Sequence, residues 1–316
     1  MKNNFVHTRR IEITRKREND DNHKDESTLI CKYSFLRSFG EIADILFAFK
    51  NINILDCTNN ELVDFDIDIV LARNIGKLNI SCNKITSFRT FEKCEKLKKL
   101  SCGDNLIVSF DGIETLNNLE KLNCRRNKIS DTFAGLEGLD RLTKLDCSNN
   151  NICGSFLPLK NLKNLQELDC SNNNICGSFL PLKNLQNLQE LFCCHNNITS
   201  KNFYGLQFLT KLKEIYCENN QIEGSFVCLR DLKYLRIVLC GGNRINSIKG
   251  LSPRTDSNYF LFASNPFLLR STCYDMKISE LSGTSKFRIL AKLTGNSFFS
   301  WFSGDKNNLN KLYDYF

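Results

Sequence analysis

The sequence contains little histidine. Only three occur in 316 residues, and two of them, His7 and His23, lie near the N-terminus, which leaves His195 alone in the rest of the chain. Metal sites built from several histidines, and most acid–base arrangements, need more than one such side chain. We therefore expect no metal site and no cofactor.

Long apolar runs are also missing. No stretch of 18 or more apolar residues offers a membrane span, and the mean hydropathy of −0.30 agrees. The first twenty residues have no apolar segment after their charges, so we expect no secretory signal. The net charge of +8 is spread along the chain without a basic block. These absences predict a cytoplasmic protein, with the nucleus as the alternative.

The neighbouring Cys194 and His195 are the one pair that could be offered as a nucleophile and its base. Adjacent residues rarely meet in a productive geometry, and no third group can be identified that would orient the histidine. The sequence therefore predicts that the chain is not an enzyme and has no catalytic residues.

A repeat of 22 to 24 residues runs through most of the chain. Each copy carries apolar residues in the order LxxLxLxxNxL, as in the copy that begins at Leu119, and we number its positions one to eleven. Short strands with one buried face cannot fold alone, but stacked copies form a parallel sheet and a continuous core. We expect the Asn at position nine to hydrogen-bond the loop of a neighbouring repeat. The ten such residues are Asn60, Asn83, Asn105, Asn127, Asn150, Asn173, Asn196, Asn220, Asn243 and Asn265.

This pattern resembles the leucine-rich-repeat family over roughly residues 52–267. The repeat length is closer to the short intracellular type, while a Gly-x-Phe in the second half of several repeats partly resembles the plant type, so the subclass stays open. The resemblance implies an α/β repeat solenoid, a curved horseshoe with a parallel β-sheet on its concave face. The convex face should hold turns and short 3₁₀ segments rather than long helices. The resemblance also implies non-catalytic recognition of another protein by the concave face, as a scaffold, a substrate-recognition subunit of a ubiquitin ligase or a phosphatase regulator.

Cysteine fills position six in eight of the ten repeats. This position demands an inward apolar side chain, and the cysteines come singly rather than as CxxC pairs, so we interpret them as small buried hydrophobes and reduced thiols rather than metal or redox groups. The eight are Cys57, Cys102, Cys124, Cys147, Cys170, Cys193, Cys217 and Cys240.

The flanks of the repeats differ in character from the repeats themselves. Residues 1–28 are charged and aperiodic and are expected to form a disordered tail, in which RRIEITRKR is a possible nuclear address. Residues 29–51 are expected to form a capping helix; an F-box is the alternative, although its Leu-Pro start is missing. Residues 268–316 are expected to cap the last repeat or to dock a partner.

Positions three and five of each repeat point away from the core, with positions seven and eight at the edge of that face. The face is basic in the first repeats and acidic to aromatic in the later ones. Its candidate partner-binding residues are Lys77, Lys99, Lys121, Arg125, Arg126, Lys144, Glu167, Glu190, Phe192, His195, Glu214, Tyr216 and Tyr259.

This division predicts a protein partner with an acidic segment over the lysines and an apolar element over Phe192 and Tyr216. Residues 147–169 and 170–192 are a tandem duplication that differs at two positions, one of which replaces Asp169 by Phe192. Nucleic acid bound along the lysines is the alternative, but Glu167, Glu190 and Glu214 continue the column with the wrong sign. The identity of the partner and the oligomeric state stay open.

Overall fold

The computed structural model describes residues 12–16, 26–48, 52–247, 249–250, 259–261 and 265. The chain divides into two compact units, Met1–Cys153 and Gly154–Phe316, each of which is described by itself. Across the described residues, no helix is both long and apolar enough to cross a membrane.

The first unit is built on one sheet. Six of its strands are parallel and follow one another in chain order, and an additional N-terminal strand runs antiparallel to the first of them. The strands are β1 (Glu12–Lys16), β2 (Glu26–Ile30), β3 (Ile52–Asp56), β4 (Lys77–Asn79), β5 (Lys99–Ser101), β6 (Lys121–Asn123) and β7 (Lys144–Asp146).

Between these strands the chain returns through short helical turns. Side chains of Asp68, Ser87 and Thr132 cap three of these turns by accepting a backbone N–H two residues on. The turns comprise α1 (Ala43–Ala48), α2 (Ile69–Ala72) and the 3₁₀ segments Phe39–Ile42, Phe88–Phe91, Ile113–Thr115 and Phe133–Leu136. The prediction of turns and 3₁₀ segments in place of long helices is confirmed.

The second unit repeats this plan. Its principal strands are parallel and in chain order: β9 (Glu167–Asp169), β11 (Glu190–Phe192), β13 (Glu214–Tyr216), β15 (Ile237–Leu239) and β17 (Tyr259–Leu261). Short strands follow the turns: β8 (Cys153–Gly154), β10 (Asn174–Gly177), β12 (Asn197–Ile198), β14 (Glu223–Gly224) and β16 (Arg244–Ile245). The 3₁₀ segments are Leu157–Asn161, Leu180–Asn184, Leu206–Phe208 and Val227–Leu229.

The core of each unit is made of aligned columns of identical side chains. In the second unit the buried rings of Phe156, Phe179, Phe203 and Phe226 stack in succession, with centroids 5.4 to 6.4 Å apart. The position-six cysteines are fully buried free thiols, as the sequence predicts. Within the second unit each of these rings meets its counterpart in the next repeat, so the core grows by addition of one repeat at a time.

The asparagine at position nine joins successive repeats, as predicted. The Oδ1 atom of Asn105 accepts the N–H of Ile85 at 2.9 Å, while its Nδ2 donates to the carbonyls of Ile80 and Cys102, both at 3.0 Å. Ile85 and Ile80 belong to the preceding repeat. One buried amide thus satisfies backbone groups of two turns that have no other partner in the sheet.

The N-terminal flank departs from its prediction. Residues 12–16 and 26–28 form strands rather than a disordered tail, and residues 29–51 do not begin as a capping helix. Instead, residues 26–36 form a repeat ahead of the ten predicted. Leu29 and Cys31 fill positions four and six, and the N–H of Ser34, at position nine, donates to Oδ1 of Asn60 at 3.0 Å.

Burial of Leu29 and Cys31 against β3 explains why this segment folds, because the edge of a sheet with an apolar face needs a cover. The helical residues Phe39–Ile42 and α1 follow as the return half of this repeat. The predicted C-terminal cap at residues 268–316 lies outside the described residues, and the remaining domain bounds stay predictions.

Candidate protein-binding faces of the two units

In the first unit, position three carries a column of lysines. Lys77, Lys99, Lys121 and Lys144 lie side by side in direct register on β4 to β7. The middle residue of each strand is buried, which turns the lysines to the opposite face of the sheet. We call these four residues the lysine column. Neighbouring strands are about 4.8 Å apart, so the column holds like charges close together.

Two arginines lie at the edge of the lysine column. Arg125 and Arg126 are exposed at positions seven and eight of the repeat that contains Lys121. The Nη1 atom of Arg126 is 3.6 Å from Oδ1 of Asp104, which lies at position eight of the preceding repeat. A surface ion pair at that distance contributes little to stability, so both guanidinium groups are available for contacts with a ligand.

Position five has a structural role in most repeats of the first unit. The side-chain oxygens of Asp56, Asn79 and Asp146 accept both the N–H and the hydroxyl of the Thr or Ser two residues on. Such bonds fix the turn that ends the strand. The polar residues of this column are therefore explained by local folding and need no ligand.

In the later repeats of the second unit this turn hydrogen bond is absent, because the residues at positions five and seven have both changed. Asp169 still accepts the N–H of Ser171 at 3.0 Å, whereas the next repeats have Phe192, Tyr216 and Leu239 at position five. Position seven changes with them, to Cys194, Glu218 and Gly241.

The apolar residues that replace the turn aspartate are adjacent in space. The rings of Phe192 and Tyr216 stack with centroids 4.7 Å apart and planes at 25°, and Leu239 pairs with Tyr216 in the sheet. All three side chains are partly exposed. We call them the aromatic strip.

Carboxylates border the aromatic strip. Glu167, Glu190 and Glu214 occupy position three in register on β9, β11 and β13. Nη2 of Arg236 lies 2.6 Å from Oε1 of Glu214, and the Tyr216 hydroxyl donates to its Oε2 at 3.1 Å. Burial, followed by this bond to Glu214, raises the pKa of Tyr216. Tyr216 therefore stays a neutral donor with a fixed ring orientation.

Cys194 and His195 do not form a nucleophile–base pair. The Cys194 thiol faces Oε2 of Glu218 at 3.9 Å, and Nε2 of His195 lies 3.2 Å from Nδ2 of Asn219. Burial raises the pKa of Cys194 to about 11, whereas a reactive thiol needs a lowered pKa. Among the residues that the structure describes, no group of three or more His, Cys, Asp or Glu side chains could hold a metal ion.

Tyr259 lies on β17, which pairs with β15, but its side chain is outside the described residues. The remaining candidates lie on the outward faces or at their edges, divided between the two units. That they bind a partner stays a prediction. The sequence reasoning missed the turn role of position five, although the recurring Asp/Asn-x-Ser/Thr at positions five to seven was a readable signal for it.

Comparison with known proteins supports this fold. Family models described as "Leucine Rich repeats (2 copies)" and "Leucine Rich Repeat" match residues 117–161 and 164–185. No curated protein sequence is significantly similar to the chain.

Solved structures of leucine-rich-repeat proteins are similar to it. An internalin from Listeria monocytogenes has a TM-score of 0.62 at 22% identity, over 71% of this chain and 63% of that one. An LRR protein from Leptospira interrogans has a TM-score of 0.61 at 23% identity, over 68% and 55%. The Arabidopsis receptor kinase HAESA, in complex with a peptide hormone and a co-receptor, has a TM-score of 0.53 at 20% identity, over 70% and 43%. The chain thus spans less than two thirds of these three proteins.

Proposed function

The chain has the fold of leucine-rich-repeat proteins, and on that premise we propose that it is a non-catalytic binding module. Its partner is another protein, held on the outward sheet face of the second unit. Repeats of this fold generally serve as protein-interaction modules, but the fold alone does not select a partner, so the proposal depends on the chemistry of the face.

The aromatic strip is the observation that carries the proposal. A stacked Phe192–Tyr216 pair bordered by Glu214 and Arg236 has the composition of an interface hot spot, which is enriched in aromatic residues and arginine. Partly exposed aromatic side chains that neighbour one another on a folded surface are typical of a binding site.

The comparison between duplicated repeats strengthens this interpretation. Phe192 stands where the nearly identical preceding repeat has Asp169, a residue that stabilises its own turn. The exchange gives up a turn hydrogen bond and leaves an aromatic ring partly exposed to water, while stacking on Tyr216 returns part of the lost stability. Binding accounts for both changes. HAESA, solved with a peptide hormone and a co-receptor, shows that a protein of this fold can hold protein ligands.

Phe192→Asp is the substitution that tests the proposal. It restores the residue of the preceding repeat, and the new carboxylate can accept the N–H of Cys194 as Asp169 accepts that of Ser171, so we expect the chain to stay folded. Affinity purification from the native source, read out by mass spectrometry, should lose the specifically bound protein. With that protein in hand, titration should show affinity weakened by more than about 1 kcal/mol.

Tyr234→Asp is the matched control, because Tyr234 is exposed in the same unit but lies outside the sheet strands. This variant should keep the partner. If Phe192→Asp binds with unchanged affinity, or if both variants lose the partner equally, the aromatic strip is not the binding site.

Finer roles are proposals of the same kind. A substrate-recognition subunit of a ubiquitin ligase would co-purify with ligase subunits, and a phosphatase regulator would co-purify with a phosphatase. We also propose a cytoplasmic or nuclear location, supported by the free thiols of all the cysteines that the structure describes, since such thiols persist in reducing compartments. Fluorescence microscopy of the tagged chain in its native cells tests the location.

A further inference from the structure

The lysine column of the first unit forms a second candidate site, independent of the aromatic strip. We infer that Lys77, Lys99 and Lys121, with Arg125 and Arg126 beside them, bind an acidic α-helical segment of a protein laid across the strands. The inference depends on the spacing of the lysines, on their mutual repulsion and on the residues next to them.

The spacing of the lysines matches a helix. Lysines in register repeat at the strand spacing, about 4.8 Å, so the distance from Lys77 to Lys121 is about 9.6 Å. On a helix that rises 1.5 Å per residue, carboxylates at i, i+3 and i+7 lie on one face and span about 10.5 Å. In an extended segment, residues on the same face repeat every 6.6 to 6.8 Å, roughly. After the first contact they therefore no longer lie opposite successive lysines.

Mutual repulsion between neighbouring lysines is the second observation behind the inference. Like charges directly opposite one another on neighbouring strands destabilise a sheet, yet Lys77 lies opposite Lys99, and Lys99 lies opposite Lys121. One aligned row of carboxylates would relieve every one of these contacts at once. Arg125 and Arg126 would add planar guanidinium groups, which suit carboxylate recognition.

The residues beside the column limit the ligand to a short acidic motif. Position five is neutral next to Lys77, Lys99 and Lys121, with Asn79, Ser101 and Asn123, but acidic in the repeats on either side, with Asp56 and Asp146. A polyanion long enough to extend past the three lysines would lie against these acidic residues and be repelled by them. Lys32, 2.9 Å from Asp56, offsets part of that charge, so Asp146 contributes more of the repulsion. The column also has polar rather than aromatic neighbours, whereas single-stranded nucleic acid needs aromatic rings for base stacking. Both features favour a protein helix over nucleic acid.

The experiment measures binding of labelled probes to the full chain by fluorescence anisotropy at low salt. One probe is an alanine-rich helical peptide with glutamates at i, i+3, i+7 and i+10. A second has the same composition with the glutamates spread over all faces of the helix, and a third is a twelve-nucleotide oligothymidylate. We expect the aligned peptide to bind at least tenfold more tightly than either of the others.

Two double variants with equal charge change separate the site from the net charge. Lys99→Glu with Lys121→Glu should weaken the aligned peptide at least tenfold and should raise the thermal midpoint, since two of the three contacts along the column then join opposite charges. Lys93→Glu with Lys96→Glu alters exposed lysines outside the strands and should leave affinity within about twofold. Equal losses in both variants, no preference between the two peptides, or tighter binding of the oligonucleotide would each overturn the inference.

Discussion

At the scale of single residues, position eight of the repeat has a fixed backbone requirement. Wherever the structure describes this residue it is left-handed, with φ between 51° and 58° at non-glycine positions. Asn and Asp tolerate this region best because their short side chains bond locally. The residues found there are Tyr33, Asn59, Cys82, Asp104, Arg126, Asn149, Asn172, His195 and Asn219. Tyr33, Cys82 and Arg126 depart from the Asn, Asp and His that this region favours, and Arg126 is also a candidate ligand contact.

Arg126→Asn should therefore stabilise the protein. The change relieves the left-handed strain at φ 51°, which costs about 1 kcal/mol or more for an ordinary side chain. It removes only a surface ion pair with Asp104. We expect the urea midpoint of unfolding to rise. Asn149→Arg, the reverse exchange in the next repeat, should lower it. A lower midpoint for Arg126→Asn would show that the ion pair outweighs the strain.

At the scale of elements, the sequence predicts the strands well because each repeat carries the same buried positions. The LxxLxLxxN pattern locates β3 to β7 and the later principal strands directly. The pattern does not identify β2, because Ser34 replaces the asparagine and Glu26 replaces the first apolar residue. The distance from Ser34 to Asn60 also includes α1, so the regular spacing fails. Only packing of Leu29 and Cys31 against the next repeat reveals this copy.

The candidate site was predictable in part for a similar reason. Alternation along a strand tells which residues leave the core, so the lysine column and the aromatic strip follow from register alone. Whether an outward residue serves the fold or a ligand depends on its hydrogen bonds. Asp146 and Phe192 occupy equivalent positions, but the aspartate closes a turn with Ser148, a role that the Asp-x-Ser pattern indicates and the burial pattern does not. Alternation of side chains cannot make that distinction.

The column of buried cysteines makes the repeats sensitive to alkaline pH. Burial raises the pKa values of Cys102 and Cys124 far above the ordinary thiol range. The folded state keeps these thiols neutral, while the unfolded chain ionises them above about pH 8.5. The stability that they contribute is therefore complete below that pH and is lost as pH rises. At pH 9.5 the loss is about 1.4 kcal/mol for each such thiol.

Urea unfolding at pH 7.5 and 9.5 checks this expectation. The midpoint should fall at the higher pH, and Cys102→Val with Cys124→Val should reduce the fall. Valine suits the position because Ile80 fills it in one repeat. Lysines and tyrosines that begin to titrate are shared by both proteins, so the difference between them reports the thiols. Equal falls in the two proteins would mean that the buried thiols do not set the pH response.

At the scale of the whole molecule, charge is arranged for contact rather than for stability. The chain carries a net charge of +8, the lysine column is in register within the first unit, and the glutamates of position three are in register within the second. The ion pairs on the described surface, such as Arg89 with Asp111, are largely exposed and contribute little. We therefore expect repulsion within columns to outweigh attraction between surface pairs.

This balance predicts that added salt stabilises the protein. Raising sodium chloride from 10 to 200 mM shortens the screening length from about 30 Å to below 10 Å, which weakens repulsion within each column and across the net charge. The thermal midpoint measured by circular dichroism should rise. In Lys99→Glu the rise should be smaller, because that substitution turns two repulsive contacts of the lysine column into attractive ones. A midpoint that falls with salt would show that surface ion pairs dominate. Repulsion within the lysine column would then no longer support the binding of an acidic ligand there.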